Sequence, residues 1–157
     1  MAKFKMKELV GLEPITARLG AGSGAANNVD DKEIGKPVKL VGDSQYNLCA
    51  AGDQIEGFVS AVEGATADGF SIGSVQTEGR KRVTLDGLQA TPGTGVIAVG
   101  DFVVAGTAVA KGTTLGSALP KVCKATTQTG MYFAWRVVSL DGTTAVGQTA
   151  LIERVNA

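Results

Sequence analysis

The chain has no histidine. That absence removes the commonest general base, the usual nitrogen ligand of zinc and every catalytic triad built on imidazole. Cysteine is almost as scarce. Cys49 and Cys123 are the only two in 157 residues, and neither belongs to a CxxC pair, so a disulfide-built scaffold is excluded and synthesis in a reducing cytoplasm is expected. Charge of one sign is lacking too. Fifteen basic residues balance fifteen acidic ones, so neither nucleic acid nor an anionic membrane is an expected partner. No run of eighteen uncharged apolar residues occurs, and the first ten residues carry Lys3, Lys5 and Lys7 without the apolar stretch of a secretory signal, so neither secretion nor membrane anchoring is expected.

What the chain does have is glycine, at 22 positions, about twice the ~7% of average usage and without collagen spacing. These glycines are scattered among Val, Thr, Ile and Ala, a mixture that favours short strands and tight turns. A chain of this length forms one ordinary domain and buries roughly 68–70% of its unfolded surface. From residue 34 onward it falls into short β-like runs at 37–41, 46–50, 55–62, 70–75, 82–85, 96–99, 102–105, 122–125, 132–140 and 150–155. Asp68-Gly69, Glu78-Gly79, Asp86-Gly87 and Asp141-Gly142 punctuate them as turn signals. The spacing predicts an all-β fold, a compact sandwich or barrel of jelly-roll-like kind, since strand count alone does not separate these. Helix is expected only as a single turn near 27–34, capped by Asp30 or Asp31.

The first 33 residues read differently. Lys3, Lys5 and Lys7 alternate with Phe4 and Met6, a period of two that places three ammonium groups on one strand face. That face is either simply solvated or a basic strip for an acidic partner. Residues 19–28 read LGAGSGAANN, a linker-like composition. The expected organisation is an extended N-terminal arm and linker over 1–33, followed by a single β-rich domain over 34–157.

A weak internal repeat runs through that domain. Ile34-Gly35-Lys36-Pro37-Val38 parallels Val99-Gly100-Asp101-Phe102-Val103, residues 46–50 parallel 120–124, and residues 59–64 parallel 137–142. Two related halves closing one core is the physical reading.

The succession IGKPVKLVG, YNLCAAGDQIEGFVSAVEG, VGDFVVAGT, KVCKAT and FAWRVVSLDG resembles a family of small phage capsid cement, or decoration, proteins. The likeness spans about residues 34–155 and rests on strand and turn patterns; the N-terminal arm and residues 107–120 depart from the shorter members. The resemblance implies a non-enzymatic virion component, made in the bacterial cytoplasm, that binds the exterior of the major capsid protein shell and acts as a homo-oligomer, a dimer or trimer. No cofactor is implied.

Candidate contact residues are Lys3, Lys5 and Lys7 on the arm and the dense basic run Arg80-Lys81-Arg82. The latter fits a charged hairpin tip or edge strand better than a nucleic-acid patch, and an acidic capsid surface suits it. Trp135, in the alternation Phe133-Trp135-Val137, serves either as core or as an interface anchor. Asp53, Glu56 and Glu63 flank glycines, where solvated turn acids are expected rather than a catalytic pair. Asp30, Asp31 and Glu33 lack the ligand alternation of a calcium loop. Cys49 and Cys123, placed alike in the two halves, are expected as buried free thiols rather than a bridge. The reading that competes with a capsid role is a glycan-binding or adhesin-type β-sandwich of a fibre or cell surface, for which the chain offers few aromatics.

Overall fold

The fold is taken from a computed structural model, which describes residues 15–22, 24, 27–127, 131 and 133–156. It is all-β, as the turn-and-strand spacing predicts. Among the described residues eleven strands follow in order: β1 (Ile15–Leu19), β2 (Pro37–Gly42), β3 (Gln45–Leu48), β4 (Gly57–Ala65), β5 (Ser71–Gln76), β6 (Arg80–Leu88), β7 (Thr91–Pro92), β8 (Phe102–Ala105), β9 (Lys121–Lys124), β10 (Phe133–Leu140) and β11 (Thr149–Asn156). The only helical element among the described residues is a 3-10 turn at Asp31–Glu33, capped by Asp30 as expected.

Strands β1 to β5 close into a barrel in the order β1-β3-β2-β4-β5. Strands β11-β10-β8-β9-β6 form a sheet that the β11–β6 pairing closes into a second ring, with the short β7 attached to β6. The two rings share one topology. In each, the first strand runs parallel to the third (β1 with β3, β6 with β9) and every other neighbour is antiparallel.

Register and irregularities repeat as well. A bulge between Val59 and Ala61 on β4 has its counterpart between Val137 and Ser139 on β10. Gly35 N–H donates to Val59 O at 2.8 Å, and Gly100 N–H to Val137 O at 2.8 Å. Bulges and positive-φ glycines are costly local choices, so their recurrence at matching places reflects a duplicated design. The expected single core is instead two, one in each ring, because each repeat closes on itself: Ala17, Leu19, Val38, Tyr46, Val59 and Val75 of barrel 1 stand where Val83, Leu85, Val103, Val122, Val137 and Ile152 stand in barrel 2.

Four further expectations need correction. The described residues of 15–33 are not an arm: β1 closes barrel 1 between β3 and β5, with Ala17 and Leu19 buried. Its five residues carry two inward apolar side chains, too short a pattern to stand out beside a glycine-rich loop. Residues 1–14, with Lys3, Lys5 and Lys7, lie outside the described residues. Residues 96–99 are not a strand, because positive-φ glycines at 95 and 100 turn the chain on either side while Ile97 alone points into the core. Asp86-Gly87 is not a hairpin turn; it lies inside β6, where Gly87 takes φ 84° and a Cβ would approach Thr94 O to 2.1 Å. Finally, the cysteines are offset by two residues: Cys49 N–H donates to Pro37 O as Ala125 N–H does to Phe102 O. Both are buried free thiols.

The barrels join where the repeat is broken. Gly57 of β4 corresponds to Trp135 of β10, and Phe58 to Arg136. A Cβ at Gly57 would come within 2.5 Å of a Val75 methyl, so barrel 1 has no room for a side chain there. Trp135 fills the larger space in barrel 2 and meets Phe58 edge-on at 5.2 Å and 81°. Its Nε1 donates to Ile55 O at 3.2 Å. Cys49, Ile55 and Phe58 therefore belong to the core of barrel 2 although they precede or lie on barrel 1 strands. A second tie is polar: the 107–120 loop reaches barrel 1, where Gly112 N–H donates to Glu33 Oε1 at 2.6 Å and Lys36 Nζ donates to Ala110 O at 3.0 Å.

Candidate interaction surface

Strand β6 reads RKRVTLDGL, and its alternation decides what the basic run can do. Val83 and Leu85 point into the core, so Lys81, two residues back, lies on that inner side, while Arg80 and Arg82 face solvent. The ammonium of Lys81 sits 5.3 Å from the centroid of the Phe58 ring, and burial holds its pKa below the ordinary lysine value. The run expected as one patch is thus divided between two faces.

On the outer face, the ladder sets Arg80, Glu153 and Arg136 side by side across β6, β11 and β10. Arg80 Nε lies 3.8 Å from Glu153 Oε1, and Arg82 NH1 lies 2.7 Å from Asp141 Oδ2. Solvated pairs of this kind contribute about 0.2–1 kcal/mol each, so neither guanidinium is held strongly by its acid. Arg136 joins this face without having been singled out in the sequence, where its isolated position gave no signal.

A second exposed feature was also missed. Val96 and Val99 are 59% and 58% exposed and Val146 is 36% exposed. The bond from Ile97 N–H to Thr144 O at 3.3 Å brings their two loops together. The run of four apolar residues at 96–99 is strand-like in composition, so nothing local in the sequence marks its outward members as surface.

The acids serve local structure. Asp30 and Glu33 form a reciprocal capping box, with Lys32 N–H on Asp30 Oδ1 at 2.8 Å and Asp30 N–H on Glu33 Oε2 at 3.0 Å. The hydrogen bond from Lys32 N–H holds the Asp30 carboxyl below its usual range. Asp53 caps Ala50 N–H at 2.7 Å and pairs with Lys39 Nζ at 2.7 Å. Burial pushes Glu56 upward. Burial likewise pushes the Cys49 thiol to about 12, and burial together with Asp86 pushes Cys123 to about 11, so neither is a ready nucleophile at neutral pH. Among the described residues, no group of three or more His, Cys, Asp or Glu side chains is placed to hold a metal ion.

Trp135 is 1% exposed, which assigns it to the core and not to an outward anchor. Compared with protein-family models, curated protein sequences and solved structures, the chain matches none.

Proposed function

We propose that this chain is a phage head decoration protein that binds the outside of the major capsid shell and stabilises it, working as a homo-oligomer on the virion exterior. The observation that carries the reading is the duplication. The resemblance to cement proteins lies in two successive copies of one strand-and-turn pattern, and the fold has two successive copies of one barrel, with matching bulges and core positions.

Physically the architecture suits the task. Closing both sheets removes most free strand edges, and with them the tendency of exposed strands to pair indiscriminately. Cys49, Ile55 and Phe58 of the first repeat pack in the core of barrel 2, which ties the two barrels into a stiff unit. A protein that binds the assembled shell and not its dissociated subunits stabilises the shell by linkage, and many copies add avidity to a modest single contact. Arg80, Arg82 and Arg136 supply the outward cationic face, with Lys3, Lys5 and Lys7 as a second contact, while Lys81 supports the barrel junction.

Co-sedimentation with undecorated expanded capsids, with unexpanded procapsids as control, tests this directly. Saturable binding to expanded shells in fixed ratio to the major subunit is expected, weakened by Arg80→Glu together with Arg82→Glu and by removal of residues 1–14. Absence of binding to either shell would reject the role.

A further inference from the structure

We propose that the guanidinium face of barrel 2 docks on the acidic rim of barrel 1 in a second copy of this chain, so that unlike barrels meet as the copies close into a dimer or trimer. The inference rests on the homo-oligomer part of the reading above and names the contact that builds it.

The balanced total charge conceals an uneven distribution. Residues 15–79, which span barrel 1, hold four basic and nine acidic residues, whereas residues 80–157 hold eight basic and four acidic. Ion pairing sharpens the contrast. In barrel 1 the pairs Lys36–Glu33 and Lys39–Asp53 occupy two of the four cations. In barrel 2 every acid is already paired, Asp86 with Lys121, Asp101 with Lys124, Asp141 with Arg82 and Glu153 with Arg80. Carboxylates are thus in excess on one barrel and cations on the other. Two copies that set like barrels face to face repel, while unlike barrels attract.

Both surfaces are placed for contact. Arg80 and Arg82 on β6 are more than half exposed. Arg136, across Glu153 on β10, is exposed and makes no ion pair among the described residues. The counterpart of this face in barrel 1, at Phe58, carries the junction between the barrels, so the fold presents this face for contact. The receiving rim surrounds a cavity of about 480 Å3 whose lining includes Asn28, Asp30, Asp31, Val62, Gly64 and Lys111. Asp30 and Asp31 are exposed, and the exposed Glu63 sits on the bulge between Val62 and Gly64. The Asp30–Glu33 capping box, locked to the 107–120 loop through Gly112 N–H and Lys36, holds the rim in place. Such rigidity reduces the ordering cost of binding. Arginine suits the hollow, because its planar fork of donors matches carboxylates and it is a favoured interface anchor.

The test uses the intact chain with no capsid present, its mass followed by light scattering after size exclusion over a dilution series. A mass above that of one chain is expected at about 0.1 M salt, falling to one chain at about 1 M, where the screening length has shrunk from ~10 Å to ~3 Å. Arg82→Glu with Arg136→Glu, and separately Asp31→Arg with Glu63→Arg, should each weaken assembly about tenfold or more. A chain carrying all of these reversals restores the complementarity and should assemble again. If the arginine reversals do not fold, Arg82→Gln with Arg136→Gln is read for the same weakening. A single-chain mass at every concentration in low salt, assembly that survives high salt, or a folded chain with all reversals that stays monomeric would each overturn the proposal. A chain that assembles yet ignores expanded capsids removes the decoration role alone, and one that binds capsids while staying monomeric removes this contact alone.

Discussion

Individual side chains at the barrel junction do more than fill space. Trp135 is buried against Phe58 and bonded to Ile55 O, so Trp135→Ala is expected to cost ~3–5 kcal/mol in denaturant unfolding, the range for emptying a large aromatic site. An unchanged midpoint would place the ring outside the cooperative core. Lys81 carries a different lesson. Burial lowers its pKa, so between its folded value and the unfolded lysine value the unfolded chain binds more protons, and stability rises with pH there. Below both values the full cost of burying the ammonium persists. Lys81→Met, which keeps the length and removes the charge, should therefore raise Tm at neutral pH and flatten the alkaline rise. A lower Tm would mean that attraction to the Phe58 face outweighs desolvation. The alternation of β6 made the inward position of Lys81 legible in principle; the dense charge of RKR obscured it.

At the scale of elements, most strands were legible because each carries two or three apolar residues at period two between turn residues. The capped turn was legible for a related reason: Asp30 and Glu33 stand at capping-box spacing. The elements that were not legible depend on partners distant in sequence. β1 is a strand because β3 and β5 flank it, and 96–99 is a loop although its composition is strand-like. The clearest element-level experiment concerns the loop that spans the barrels. Glu33 and Lys36 form a buried pair at 3.3 Å, with side chains 0% and 4% exposed. Lys36→Met alone should cost about 3–5 kcal/mol, because it leaves a buried carboxylate without its cation. Adding Glu33→Gln should restore part of that loss. A double variant no more stable than the single one would show that the backbone contacts to Ala110 and Gly112 dominate.

For the whole molecule, the duplicated barrels are not independent beads. Cys49, Ile55 and Phe58 from the first repeat complete the core of the second, so one cooperative thermal transition is expected, with calorimetric and van't Hoff enthalpies equal. Two resolved transitions would mean that each barrel folds alone. The position that joins the barrels also shows how the array ends. Phe58 is covered by barrel 2, whereas its counterpart Arg136 is exposed beside Glu153, and a polar outer face is what a terminal repeat requires.

By itself, the sequence determined the all-β class, the positions of most strands and turns, the capped turn and the outline of a repeat, because these depend on alternation, turn chemistry and short-range capping. The tertiary structure decided which of them close into rings, that residues 15–19 belong to a barrel, that Arg80 and Lys81 face opposite ways, and that Asn28 borders a cavity. Those outcomes are set by residues far apart in the chain meeting across a sheet or a junction, and local periodicity carries no record of the partner.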